Sequence, residues 1–237
     1  MKEGENIFHV AVDSTLRAAL IRKGLCKTSE AFTISSCDLH KKLFKRPVKK
    51  LIVFVVDSSD SMGQGAFARM QAAKGAVLAI LSKAHLGRHR VALVAFRDES
   101  AELVLQPTSS ISLARSRLKA LPTGGATPLA DGLIKAWRIV KTERIKDPKI
   151  KPLLVILSDG EANVPHDPGL KYREVEEELL RAAQRIGKER IHSIVIDTKR
   201  SWEKPGEMLR VAQALKGVYH HLNRIKARDV IEFVTAF

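Results

Sequence analysis

Leu51-Ile52-Val53-Phe54-Val55-Val56-Asp57-Ser58-Ser59-Asp60-Ser61 is the stretch on which the fold turns. Its first six residues are apolar without a break, the pattern of a strand buried on both faces in a helix-covered parallel sheet. The polar residues that follow then lie at the carboxyl edge of the sheet, where open α/β folds bind ligands. Asp57 offers a carboxylate there, and Ser59 and Ser61 offer hydroxyls at alternate positions. All are oxygen donors, and magnesium prefers oxygen in near-octahedral geometry while keeping several waters. Neutral hydroxyls leave most of a cation's charge uncancelled, so a carboxylate from another molecule can be drawn into an open coordination position.

Two later segments can join the same edge. Gly124-Gly125-Ala126-Thr127-Pro128 precedes an amphipathic stretch, and Leu153-Leu154-Val155-Ile156-Leu157 is a second buried-strand pattern ending in Ser158-Asp159-Gly160. They add a third hydroxyl, Thr127, and a second carboxylate, Asp159. Singly, each segment has a plainer reading: a serine cap on the next helix, a threonine cap before a first-turn proline, and a turn. Together, in this order, they resemble the metal-ion-dependent adhesion site of von Willebrand factor A domains, also called integrin I domains, with its Asp-x-Ser-x-Ser, Thr and Asp pattern. The resemblance implies that Ser59, Ser61 and Thr127 touch a metal, with Asp57 and Asp159 acting directly or through water. It also implies Mg2+ as the cofactor, with Mn2+ or Ca2+ as substitutes.

Residues 51–237 alternate strand and helix patterns with short connections, which predicts an α/β, doubly wound fold. The expected sheet is six-stranded and mostly parallel, with helices on both faces, as in the Rossmann-like von Willebrand A arrangement. Phe67, Met70, Lys74, Val77, Leu78 and Leu81 follow helical spacing, with Lys74 snorkelling at the edge of the stripe. Val91 to Phe96 reads as a strand. Ala101 to Leu105 follows through a turn too short for a parallel crossover, so it is the one antiparallel edge strand. A helix is expected near 110–120. Another carries Leu129, Leu133, Ala136, Trp137 and Val140 on one stripe, which makes Trp137 a core residue. Residues 141–151 read as an exposed charged loop. A helix from near Tyr172, a strand at Ile191 to Ile196, a mobile loop at 201–206, a helix at 206–215, a strand at 218–222 and a helix from about 226 complete the domain. Residues 1–50 form an N-terminal extension with a basic linker, containing a helix from Asp13 to about Arg22 stopped by Gly24, and a short strand at Phe32 to Ser35.

The 237 residues carry 41 Lys and Arg against 26 Asp and Glu, a net charge of +15 that favours acidic partners. The densest cluster, Lys41, Lys42, Lys45, Arg46, Lys49 and Lys50, reads as a solvated linker or as an electrostatic docking strip. No RNA-binding sheet motif, zinc finger or helix-turn-helix is present, so specific nucleic-acid recognition is not expected. Two cysteines, the lack of an apolar signal segment and the lack of any apolar run of roughly 20 residues lead us to expect a cytoplasmic protein with free thiols and no membrane span.

Several segments narrow the resemblance to the C-terminal domain of magnesium chelatase D subunits. They include Val10-Ala11-Val12-Asp13-Ser14-Thr15-Leu16-Arg17-Ala18-Ala19, Val91-Ala92-Leu93-Val94-Ala95-Phe96-Arg97, Leu121-Pro122-Thr123-Gly124-Gly125-Ala126-Thr127-Pro128-Leu129-Ala130-Asp131-Gly132-Leu133 and Ser158-Asp159-Gly160-Glu161-Ala162-Asn163. Departures accompany it. The AAA+-like domain and acidic linker of those subunits do not occur in these residues, no Gly-x-x-x-x-Gly-Lys-Ser/Thr loop occurs, and Asp60 stands where glycine is usual. The chain is therefore not expected to bind nucleotide.

The resemblance implies a non-catalytic, Mg-dependent interaction module that couples an AAA+ ATPase to metal insertion into a tetrapyrrole. A tetrapyrrole-binding chelatase subunit would be a further partner, and a partner carboxylate would act as metal ligand. Alternatives are a stand-alone partner of an AAA+ ATPase that matures another enzyme, a basic nucleic-acid-binding protein, and an enzyme using His85, His89, His166, His192, His220 or His221. None of those histidines has the paired nucleophile or metal-ligand spacing that catalysis needs.

Overall fold

The computed structural model describes residues 10–26, 32–42, 49–59, 74–75, 77–82, 89–122, 124–199 and 206–222. Ser61, Lys45, Arg46, the first part of the helix expected from Phe67, nearly all of the 201–206 loop and the helix from about 226 lie outside them. The chain divides into two compact units, Met1–Pro47 and Val48–Phe237.

Among the described residues, the larger unit holds one six-stranded sheet. Its strands are β1 (Lys50–Asp57), β2 (Arg90–Arg97), β3 (Ser100–Thr108), β4 (Lys151–Ser158), β5 (His192–Asp197) and β6 (Val218–His221), in the order β3-β2-β1-β4-β5-β6. Every neighbouring pair is parallel except β2–β3, which is antiparallel. The reversal passes through Asp98, whose φ of 55° is the left-handed conformation that a tight turn demands. β1 lies between β2 and β4, so the chain leaves it in opposite directions and opens a crevice at the carboxyl ends of β1 and β4.

Every residue of β1 is buried because both faces are covered. Alternation along the strand sends Leu51, Val53 and Val55 toward α4 (Leu129–Lys146), α5 (Val175–Lys188) and α6 (Glu207–Leu215), where Leu133, Leu179 and Val211 share their cluster. Ile52, Phe54 and Val56 meet the opposite layer, containing Val77, Ile80 and Leu81 of α2 (described at 74–75 and 77–82) and Ala114 and Leu118 of α3 (Ile111–Lys119). The layered α/β class is therefore as expected.

Three local expectations need correction. The charged stretch expected as a loop at 141–151 is helical to Lys146. Glu143 turns inward, almost fully buried, and pairs with Arg90 and Lys146, so the charges mark one inward contact on a helix rather than a helix end. Lys74 does not merely snorkel: its Nζ donates to the carbonyls of Lys119 and Leu121 at 3.4 and 3.3 Å, at the C-terminus of α3. Trp137 is only half-buried, packed against the edge of the core cluster.

In the smaller unit, α1 spans Val12–Cys26 and runs through Gly24, which meets no neighbour that would force a stop. Residues 32–35 form no strand and lead into a 3-10 turn at Ser36–Asp38. Arg22 explains that geometry. Its guanidinium donates to both oxygens of buried Asp38 and to the Thr33 carbonyl, which consumes the backbone direction a strand partner would need. The same guanidinium holds the Asp38 carboxyl below its usual range.

Candidate functional site

The carboxyl ends of β1 and β4 are level, with Val56 opposite Leu157, so Asp57 and Asp159 emerge from adjacent strands. Both are almost fully buried, as are Ser59 and Thr127. The Thr127 hydroxyl donates to Ser59 Oγ at 2.9 Å, and Ser59 Oγ donates to Asp57 Oδ1 at 2.6 Å. The Ser59 amide adds a 3.0 Å bond to the same oxygen. Three of the residues singled out from sequence therefore form one hydrogen-bonded chain. Asp159 joins through the field, because its charge acts on Asp57, while its own Oδ1 accepts from the Glu161 amide at 3.2 Å.

Burial and then the Asp159 charge push the Asp57 carboxyl up to about 6, against the opposing pull of the Ser158 and Ser59 donors. Two desolvated carboxylates side by side are unfavourable without a compensating cation. The donors here are carboxylate and hydroxyl oxygens, a hard set suited to Mg2+, Mn2+ or Ca2+. Among the described residues, no group of three or more His, Cys, Asp or Glu side chains is placed to hold a metal. The chemistry of the set fits the cation implied by the sequence pattern.

Sequence reasoning missed the residues that brace this set. Ser158, read as part of a turn, donates to Asp57 Oδ2 at 2.6 Å and accepts from the Gly160 amide at 3.0 Å. Asn163 grips Thr127 from both sides: its Oδ1 accepts from the Thr127 amide at 2.7 Å, and its own amide donates to the Thr127 carbonyl at 3.3 Å. Thr127 thus presents its hydroxyl to Ser59 instead of capping α4. Gly124 donates to the Ser58 carbonyl at 2.8 Å, tying the two loops together. Gly125, at φ 82°, packs against Asp98 so closely that a Cβ would overlap its carboxyl. The positive φ is what calls for glycine there, since the exposed Asp98 side chain could swing aside.

Asp131, in the first turn of α4, is a second brace. Its Oδ2 accepts from the Ala101 amide at 2.6 Å and its Oδ1 meets His166 Nδ1 at 2.9 Å. One buried carboxylate thereby joins α4, the start of β3 and the loop after Asp159. Asp131→Ala is expected to cost about 2 kcal/mol, read by chemical denaturation, because it leaves a buried amide without an acceptor. Asp131→Asn should retain roughly half of that. His166 is accounted for as this contact, and His220 and His221 sit half-buried on β6.

Of the basic cluster, Lys41 and Lys42 are exposed in the smaller unit and Lys49 is exposed in the larger. Lys50 is buried as the first residue of β1, and that burial lowers its pKa. No described helix is long and apolar enough to cross a membrane.

Residues 52–161 match the family described as von Willebrand factor type A domain. The chain is 36% identical over 223 residues to a magnesium-chelatase 67 kDa subunit of Chlorobaculum tepidum, covering 91% of this chain and 35% of that protein. It is also 36% identical over 169 residues to an uncharacterized protein of Methanocaldococcus jannaschii, covering 71% of this chain and 94% of the other. The chain thus spans about a third of the length of the chelatase subunits it matches. Among solved structures, the SpRpn10 VWA domain superposes with a TM-score of 0.57 at 18% identity, covering 78% of this chain and 95% of that one, a likeness of fold.

Proposed function

Because the chain belongs to the von Willebrand factor type A family, we propose that it is a non-catalytic, magnesium-dependent interaction module of a magnesium-chelatase-like assembly. It docks on an AAA+ ATPase and couples that motor to a subunit that inserts metal into a tetrapyrrole. The observation that carries this reading is the buried pair Asp57 and Asp159 with the Thr127–Ser59–Asp57 hydrogen-bond chain at the sheet's switch point. Similarity to magnesium-chelatase subunits over nine-tenths of the chain supports the choice of assembly.

In this reading Ser59, Ser61 and Thr127 hold Mg2+, with Asp57 and Asp159 placed directly or through water. The bound ion would supply an electrophilic position for a carboxylate of the partner. The chain's own residues do the rest. Ser158 fixes the orientation of Asp57, Asn163 holds Thr127 in place, and burial keeps competing solvent from the carboxylates. The net charge of +15 speeds encounter with an acidic partner, an effect that added salt weakens.

Capture of ATPases from the source cell tests this, with wild type and Asp57→Ala, in magnesium or in chelator. Retention of an AAA+ protein only by wild type with magnesium is the expected result. Capture indifferent to both the metal and Asp57 would remove the metal site from docking. A second reading, a stand-alone partner of an AAA+ ATPase that matures another enzyme, is favoured by the archaeal relative, which this chain matches over almost its whole length. The identity of the captured ATPase and its neighbours separates the two.

A further inference from the structure

Away from the metal-site residues, α4 and α5 leave a groove of about 380 Å3 between them. Ile134, Trp137, Ala182 and Ile186 make an apolar floor, and Arg138, Arg181 and Arg185 line the same groove. Spacings of three and four residues place Ile134, Trp137 and Arg138 on one face of α4 and Arg181, Ala182 and Arg185 on one face of α5. Lys141 Nζ lies 4.5 Å from the centre of the Trp137 ring, and the Arg185 guanidinium carbon lies 5.7 Å from it.

The charges around this groove are unbalanced. Arg181 is matched by Glu177 at 2.7 Å. Glu178 is engaged by the backbone amides of His166 and Asp167. Among the described residues, Arg138, Lys141 and Arg185 have no carboxylate partner, and all three are exposed. The indole N–H of Trp137 is buried with no acceptor, an uncommon state for a tryptophan. Apolar floor and three unmatched cations form a surface complementary to a segment with apolar side chains on one side and carboxylates on the other.

We propose that the α4–α5 groove docks an acidic, amphipathic segment of a partner protein. Its apolar side chains lie on Ile134, Trp137 and Ala182, and its carboxylates meet Arg138, Lys141 and Arg185. Single-stranded nucleic acid fits less well, because it binds by stacking successive bases on a run of aromatic faces, and of the residues lining this groove Trp137 and His166 alone carry rings. None of the proposed metal ligands lines the groove, which meets the bracing of that site only through His166 and its contact with Asp131.

The full chain with Trp202→Phe leaves Trp137 as its single tryptophan reporter. The probe is a labelled helical peptide with leucines on one face and glutamates flanking them, titrated in magnesium and in chelator. Saturable binding that changes Trp137 fluorescence is expected in both buffers. Arg138→Ala with Arg185→Ala should weaken it by about tenfold, and Arg138→Lys with Arg185→Lys should largely restore it. A peptide with glutamine in place of glutamate should lose binding. Equal affinity for the alanine double variant, or no binding, overturns the proposal. Binding present only with magnesium would place the peptide at the metal site and overturn the groove while leaving the magnesium reading standing. A single-stranded oligonucleotide that gives the same Trp137 change at lower concentration would make the groove a nucleic-acid surface instead.

Discussion

In metal-free buffer near pH 7, Asp57→Asn is expected to melt higher than wild type, and below about pH 4 it should melt slightly lower. The folded-state pKa of Asp57, about 6, lies above the ordinary aspartate value near 4, so the fold prefers the protonated form. Its contribution to stability is therefore complete below about pH 4 and lost as pH rises through about 6. A shift of about two units corresponds to ~3 kcal/mol at neutral pH. Asparagine removes the charge but rearranges the hydrogen bond from Ser158, costing about 1 kcal/mol. The net gain of ~2 kcal/mol should appear as a rise of roughly 4–8 °C for a chain of this size. Magnesium should raise the melting temperature of wild type at neutral pH, do so less as pH falls below about 6, and leave Asp57→Asn unmoved. Thermal melts across this pH range, with and without magnesium, read both effects. A variant that melts lower than wild type near pH 7 would mean that Asp57 is held neutral or already compensated, and the electrostatic case for a cation would fail.

That carboxylate was legible in the sequence because six unbroken apolar residues before Asp57 have one economical reading, a central buried strand. Ser59 and Thr127 were legible by residue type and order. The bracing residues were not, because their partners lie far off in sequence. Ser158 acts on a residue 101 positions away, Asn163 on one 36 positions away, and Asp131 on an amide 30 positions away. A serine or asparagine in a turn looks the same whether it braces a distant carboxylate or meets water. The end of α4 failed for a related reason: charge density at 141–146 resembles a loop until Arg90, on β2, is seen to draw Glu143 inward. Local pattern shows which segments are buried. It does not show which polar group a buried segment brings with it.

Gly132→Ala should both destabilise the protein and weaken magnesium binding, although Gly132 touches no proposed ligand. α4 begins two residues after Thr127, and its first turns lie directly on the sheet. A Cβ at Gly132 would stand 2.8 Å from Phe96 Cδ1 and 3.3 Å from Val55 Cγ1. Phe96 is fully buried and Val55 lies in the middle of β1, so neither side chain can swing aside. The helix must lift instead, an overpacking cost of about 1–3 kcal/mol that outweighs alanine's helix propensity advantage of about 1 kcal/mol. Lifting the first turn draws Thr127 from Ser59, whose 2.9 Å contact has little slack before it ceases to be a hydrogen bond. Gly75→Ala is the control. Gly75 is also helical, and its added Cβ meets nothing within 4 Å, so propensity alone should stabilise the protein by up to about 1 kcal/mol. Denaturant melts and magnesium titration of both variants separate packing from propensity. If Gly132→Ala lost stability but bound magnesium as tightly as wild type, the seating of α4 would not position Thr127. The bracket that Asn163 forms around Thr127 would then hold that hydroxyl without help from the helix.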